Sequence, residues 1–104
     1  MKYKVEYTKQ SQADLKSLDN SIARIIIKLI DKVSENPLPK NQGGYGEPLG
    51  NKADKALAGY CKIKSRKYGV RVVYKLVIEN KVMKFVVIAA RADDEVYELA
   101  SART

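Results

Sequence analysis

A chain of 104 residues carries 20 Lys+Arg against 12 Asp+Glu, a formal charge of +8, and contains no histidine. That length fits a single domain, residues 1–104, and 45% hydrophobic content excludes wholesale disorder, while the longest apolar run, Phe85–Ala90, falls far short of the roughly 20 residues that span a membrane. Without histidine, Ser-His-Asp and Cys-His nucleophilic catalysis and His-ligated zinc are excluded, so any catalysis falls to Lys, Arg, Tyr and carboxylates.

The charged opening Met1-Lys2-Tyr3-Lys4 has no apolar signal region, which together with the lone Cys61 leads to the expectation of a reducing cytoplasm. Tyr3, Val5 and Tyr7 alternate with charged residues over Lys2–Tyr7, the pattern of a half-buried strand. Thr8 and Ser11 are candidate caps for a short helix carrying Ala13, Leu15 and Leu18. Asn20 or Ser21 can start a second helix, because Ile22, Ile25, Ile26, Leu29, Ile30 and Val33 follow helical spacing; Asn36-Pro37 ends it. The two helices are predicted to form a hairpin lying on a sheet.

Residues 37 to about 56 hold all three prolines and four of the six glycines, and read as a long irregular surface connection. They lack the Gly-Lys-Ser/Thr ending of a phosphate-cradling loop. After them the period changes to two. Ala58–Lys64, Val70–Ile78 and Lys81–Ala90 are predicted strands of an antiparallel meander, with turns at 66–69 and 79–80. Asp93-Asp94-Glu95 then places negative charge at the start of a short terminal helix running to about Ala102. The fold class is therefore α+β: an N-terminal strand, a helical hairpin, a three-stranded antiparallel meander and a short C-terminal helix.

Between Lys55 and Ile78 lie seven basic residues and no acidic one. Strand alternation places Lys62 and Lys64 side by side, about 7 Å apart. If the Val70, Val72, Tyr74 face meets the helices, Arg71 and Lys75 turn to the same side as Tyr60, Lys62 and Lys64. A solvated face on a basic protein would look similar, but clustered cations on adjacent strands repel unless an anion neutralises them. Tyrosines among the cations favour RNA over a membrane surface, with Tyr60, Arg66, Lys67 and Lys75 as candidate RNA-binding residues.

The run Gly59-Tyr60-Cys61-Lys62-Ile63-Lys64, followed by Tyr68-Gly69-Val70-Arg71-Val72-Val73-Tyr74, resembles the signature of RelE-type toxins. Phe85-Val86-Val87-Ile88, Arg91 and Glu95-Val96-Tyr97 continue the likeness in order, so that it spans nearly the whole chain. The resemblance implies a ribosome-dependent endoribonuclease that cuts messenger RNA in the ribosomal A site and is blocked by a cognate antitoxin protein. The functional positions it implies are Lys62, Lys64, Arg71, Arg91 and Tyr97. A Gly-His or Gly-Lys pair common before the final Arg…Tyr positions is here Ala89-Ala90. That departure keeps a catalytically inactive antitoxin-binding relative in view, and the shared scaffold keeps open a ParE-like toxin that inhibits DNA gyrase.

RNA carries its own nucleophile, the 2′-hydroxyl, so its cleavage needs no metal or cofactor, and none is expected. It needs a base, an acid and positive charge for the phosphorane. Arg71 and Arg91 suit phosphate, although Arg91 can instead pair with Asp93 or Asp94. Lys62 and Lys64, crowded by other cations, suit acid–base work, either one in either role. Tyr97 can stack on a base, share proton transfer, or serve as a core aromatic of the last helix.

Overall fold

Tyr3, Val5 and Tyr7 turn one face inward while Lys4 and Glu6 stay exposed, and this alternation forms strand β1 (Lys4–Tyr7) in the computed structural model, which describes residues 2–50, 57–90 and 93–103. Thr8 caps helix α1 (Lys9–Ser17): its backbone is extended and its hydroxyl accepts the Ser11 N–H at 3.1 Å. Leu18 and Asp19 alone separate α1 from α2 (Asn20–Val33). Helix α2 buries Ile26, Ile30 and Val33; Ile25, 38% exposed, sits at the margin of the apolar stripe. The Ser34 N–H closes the helix on the Ile30 carbonyl, ahead of Pro37.

The connection that follows is more ordered than its Pro and Gly content predicts. Lys40–Gln42 form one 3-10 turn, and Glu47–Gly50 form a strand, β2, while residues 51–56 lie outside the described set. Pro48, which lacks an N–H, is tolerated because β2 is an edge strand, and Leu49 is buried. Gly46 is required where the chain passes under the sheet: a Cβ there would lie 2.4 Å from the Tyr74 hydroxyl oxygen. That hydroxyl donates to the Pro37 carbonyl at 2.8 Å, pinning the start of the loop to the core.

The meander forms as β3 (Leu57–Ser65), β4 (Val70–Val77) and β5 (Val82–Ala89), followed by α3 (Asp93–Ala102). Among the described residues the sheet has five strands, one more than predicted, in the order β1-β5-β4-β3-β2. β1 runs parallel to β5, the helical hairpin carries the chain from β1 to β2 at the opposite edge, and the other pairs are antiparallel. The fold is α+β.

Two cores flank the sheet. The hairpin covers Cys61, Ile63, Val72, Tyr74, Phe85 and Ile88 on one face. An irregularity opposite Val73 and Tyr74 leaves Val86 as an extra residue in β5, so Phe85 and Ile88 both face the hairpin. Val86 and Val87 instead join Leu49, Val73, Val96, Tyr97 and Ala100 beneath α3 on the other face. β1 ends opposite Phe85, and a side-chain clamp replaces it farther along β5. Asp14 Oδ2 accepts the Ile88 N–H at 3.0 Å and Arg103 Nη1 at 2.7 Å, while Arg103 Nη1 also donates to the Val86 carbonyl at 2.8 Å. The clamp ties the end of α3 to α1 across the sheet.

Candidate functional site

The register between β3 and β4 sets Lys64 opposite Arg71, Lys62 opposite Val73 and Tyr60 opposite Lys75. Because side chains alternate, these six residues share the face turned away from the hairpin. Helix α3 covers part of that face over Val73 and Val87 and leaves the rest open as a basic surface.

At the border between the covered and open parts, Lys62 is 8% exposed. Its Nζ donates to the Tyr97 hydroxyl oxygen at 3.0 Å and lies 5.4 Å from the ring centroid. Glu47, directly opposite Lys62 on β2, brings Oε2 to 3.7 Å from the same nitrogen. Its Oε1 accepts from Lys40 Nζ at 3.2 Å. Partial burial works to raise the Glu47 carboxyl, but the hydrogen bonds and attraction of Lys40 and Lys62 prevail and hold it below the usual carboxylate range.

Tyr97 is a core aromatic, 7% exposed: its ring packs in the second core while its hydroxyl reaches Lys62. Arg71 is half-buried at the mouth of the β3–β4 hairpin, where Nη1 donates to the Gly69 carbonyl at 3.3 Å. Lys64, across from it, is exposed. Arg66 and Lys67 project from the turn, and Lys67 Nζ stands 5.5 Å from the Tyr68 ring centroid. Tyr60 packs partly on the second core, with Lys75 Nζ 5.9 Å from its ring centroid. These two sit four residues along the strands from Lys64 and Arg71, about 13 Å away. Arg91 lies outside the described residues.

The structure thus brings Lys62 and Tyr97 together beside the Lys64–Arg71 pair, and leaves Tyr60 with Lys75, and Arg66 with Lys67, as separate stations along β3. Sequence reading missed Glu47, because it treated residues 37–56 as irregular. No local pattern in Tyr45–Gly50 signals it, since the segment is rich in Gly and Pro and takes its place through pairing with β3. With Glu47 present, Lys62 is not crowded by cations alone: an ammonium beside a carboxylate and a phenol oxygen suits charge stabilisation and proton donation better than proton acceptance. Ala89 is half-buried against the second core and Ala90 is exposed, so neither contributes a cation. Burial pushes the Cys61 thiol up, away from the reactive thiolate. Among the described residues, no three His, Cys, Asp or Glu side chains group as metal ligands, and no helix is long and apolar enough to cross a membrane.

Residues 5–95 match the family described as ParE toxin of type II toxin–antitoxin systems. A RelE-like toxin protein of Escherichia coli is 26% identical over 103 residues, covering 99% of this chain and 98% of its own. Among solved structures, a mutant RelE toxin of Escherichia coli in the free state superposes with a TM-score of 0.73 at 23% identity, covering 99% of this chain and 98% of that one. The toxin of a RelBE toxin–antitoxin complex from Mycobacterium tuberculosis gives 0.71 at 22% identity, covering 88% and 100%. An archaeal RelE–RelB complex from Pyrococcus horikoshii gives 0.62 at 22%, covering 89% and 99%. At these identities the structural likeness establishes the fold.

Proposed function

This chain belongs to the family of ParE toxins of type II toxin–antitoxin systems, and we propose that within that family it works as a metal-independent endoribonuclease that cuts messenger RNA in the ribosomal A site and so inhibits translation. The observation that carries this reading is the Glu47–Lys62–Tyr97 cluster at the border of the open sheet face, beside the Lys64–Arg71 pair.

The 2′-hydroxyl of the nucleotide before the cut attacks the neighbouring phosphorus, and the 5′-oxygen of the next nucleotide leaves. The products are a 2′,3′-cyclic phosphate and a free 5′-hydroxyl. Glu47, held ionised by its two lysines, accepts the proton of the attacking hydroxyl. Lys62 and Tyr97, joined by their hydrogen bond, supply positive charge and pass a proton to the departing oxygen. Arg71, with Arg91, grips the non-bridging phosphate oxygens in a planar fork, and Lys64 adds charge beside them. Tyr60, Arg66, Lys67 and Lys75 hold the strand on either side. The substrate is messenger RNA on the ribosome, the protein partner is a cognate antitoxin like those in the RelBE complexes, and the compartment is the cytoplasm.

The ParE description of the matching family favours a second reading, inhibition of DNA gyrase without RNA cleavage. Primer extension on messages after brief induction, with a supercoiling assay on purified gyrase, separates the two. New 5′ ends within ribosome-bound messages and unaffected supercoiling are expected. Intact messages, SOS induction and blocked supercoiling would support gyrase.

A further inference from the structure

β2 pairs with β3 only between Leu57 and Lys62, so the edge of β3 beyond Lys62 has no strand beside it among the described residues. A hollow of about 420 Å³ opens along that edge, between β3, the last turns of α2 and the loop before β2. Its apolar floor is Leu29 and Val33. Lys62, Lys64 and Arg66 enter from β3 and its turn, Lys32 from α2 and Lys40 from the loop. Glu47 is the one carboxylate among the described lining residues, and its oxygens are engaged by Lys40 at 3.2 Å and Lys62 at 3.7 Å. The walls therefore hold a large excess of positive charge in a concave space, which concentrates field on an incoming anion.

We propose that this cleft is a second subsite, taking the sugar–phosphate backbone and one base of the single-stranded RNA that flanks the cut. It rests on the ribonuclease reading above and extends it around the sheet edge. Lys62 belongs to both places, so a strand leaving the reacting face passes directly into the cleft. Lys64 and Arg66 continue the cationic line in the direction of β3. Tyr45, 45% exposed, provides aromatic surface beside Lys32, whose Nζ lies 5.5 Å from its ring centroid. An aromatic ring next to a cation suits a stacked base joined to a phosphate, a pairing that single-strand binders use repeatedly. A lone small anion would meet one or two of these lysines; a polymer meets them in series.

The test is fluorescence anisotropy with the full chain and uniformly 2′-O-methylated single-stranded RNA, which binds but cannot be cut. Oligonucleotides of about 4 and about 12 nucleotides bracket the site size of such binders. For the longer strand, Lys32→Gln is expected to flatten the slope of log affinity against log salt by about 0.7, one phosphate contact. Tyr45→Ala is expected to weaken binding of the longer strand about 5- to 160-fold, one stacked base. The shorter strand should bind all three proteins alike. Unchanged affinity and slope in both variants, with the longer strand still bound by the parent, would overturn the cleft and leave the ribonuclease reading standing. Equal losses on both strands would also overturn it. No binding of the longer strand by the parent protein would overturn the cleft as a single-strand subsite, while the ribonuclease reading is decided separately by cleavage on the ribosome. Displacement of the RNA by poly-glutamate, with variants that weaken the peptide but not the RNA, would assign the cleft to an acidic protein instead.

Discussion

Replacing Arg103 by Met removes the cation that fastens the end of α3 to the rest of the molecule. The arginine makes contacts of 2.7 and 3.3 Å to the Asp14 carboxylate and 2.8 Å to the Val86 carbonyl. Both side chains of the pair are less than one-fifth exposed, at 17% and 19%, so solvent screens them weakly. Hydrogen bonds to charged groups contribute about 1.5–3 kcal/mol each, and stranding one member of a buried pair costs about 3–5 kcal/mol. Asp14 keeps the Ile88 N–H and some water, and Met preserves part of the packed stem, which places the expected loss at about 2–3 kcal/mol. For a domain of this size that is a fall in Tm of roughly 8–20 °C. Urea denaturation followed by circular dichroism measures it. Hydrogen exchange at the Ile88 amide adds a local readout and should speed up more than exchange in the centre of β4. A loss below about 0.5 kcal/mol, within the range of ordinary surface substitutions, would refute the claim that this clamp holds α3 and its Tyr97 in place.

Gly46→Ala sets a methyl 2.4 Å from the Tyr74 hydroxyl oxygen and should cost about 1–3 kcal/mol in urea denaturation, whereas Ala at exposed Gly43 meets no atom within 4 Å and is strained only by its backbone angle. Tyr97→Phe keeps the packed ring and deletes the acceptor of the Lys62 hydrogen bond; RNA cleavage should fall about 100-fold or more while the fold survives, as checked by activity and thermal melting. The Glu47 carboxyl titrates lower in the folded chain than when unfolded. Its contribution to stability is therefore present above the ordinary carboxylate value, about pH 4.3, and lost as pH falls through the depressed folded value. The stability gap between the parent and Glu47→Gln, measured by denaturation from pH 7 to pH 3, should close toward the acid end.

The meander and its face assignments were legible because alternation over β3 and β4 is regular: once Val72 and Tyr74 are buried, Lys62, Lys64 and Arg71 have only the other face. The hairpin was legible from the isoleucine spacing of α2 and the Thr8 cap. β2 was not, since four residues containing a proline and a glycine carry almost no local strand preference, and β2 exists through its pairing with β3 and burial of Leu49. Missing β2 concealed Glu47 and with it the carboxylate facing Lys62. The Asp14–Arg103 pair was equally hidden: 89 residues separate its members, and it forms only because β1 ends early along β5.

The claim that the cationic sheet face cleaves RNA through the strand's own 2′-hydroxyl is tested most directly by a single substitution in the substrate. Purified protein is added to ribosomes stalled on a message, and the same message is tested with one 2′-deoxynucleotide immediately before the mapped cut. Cleavage with a 2′,3′-cyclic phosphate end on the first message, and none at that position on the second, is the expected result, with Arg71→Ala inactive on both. Cleavage of the deoxy-substituted message at the same bond, or no cleavage of either, would contradict it.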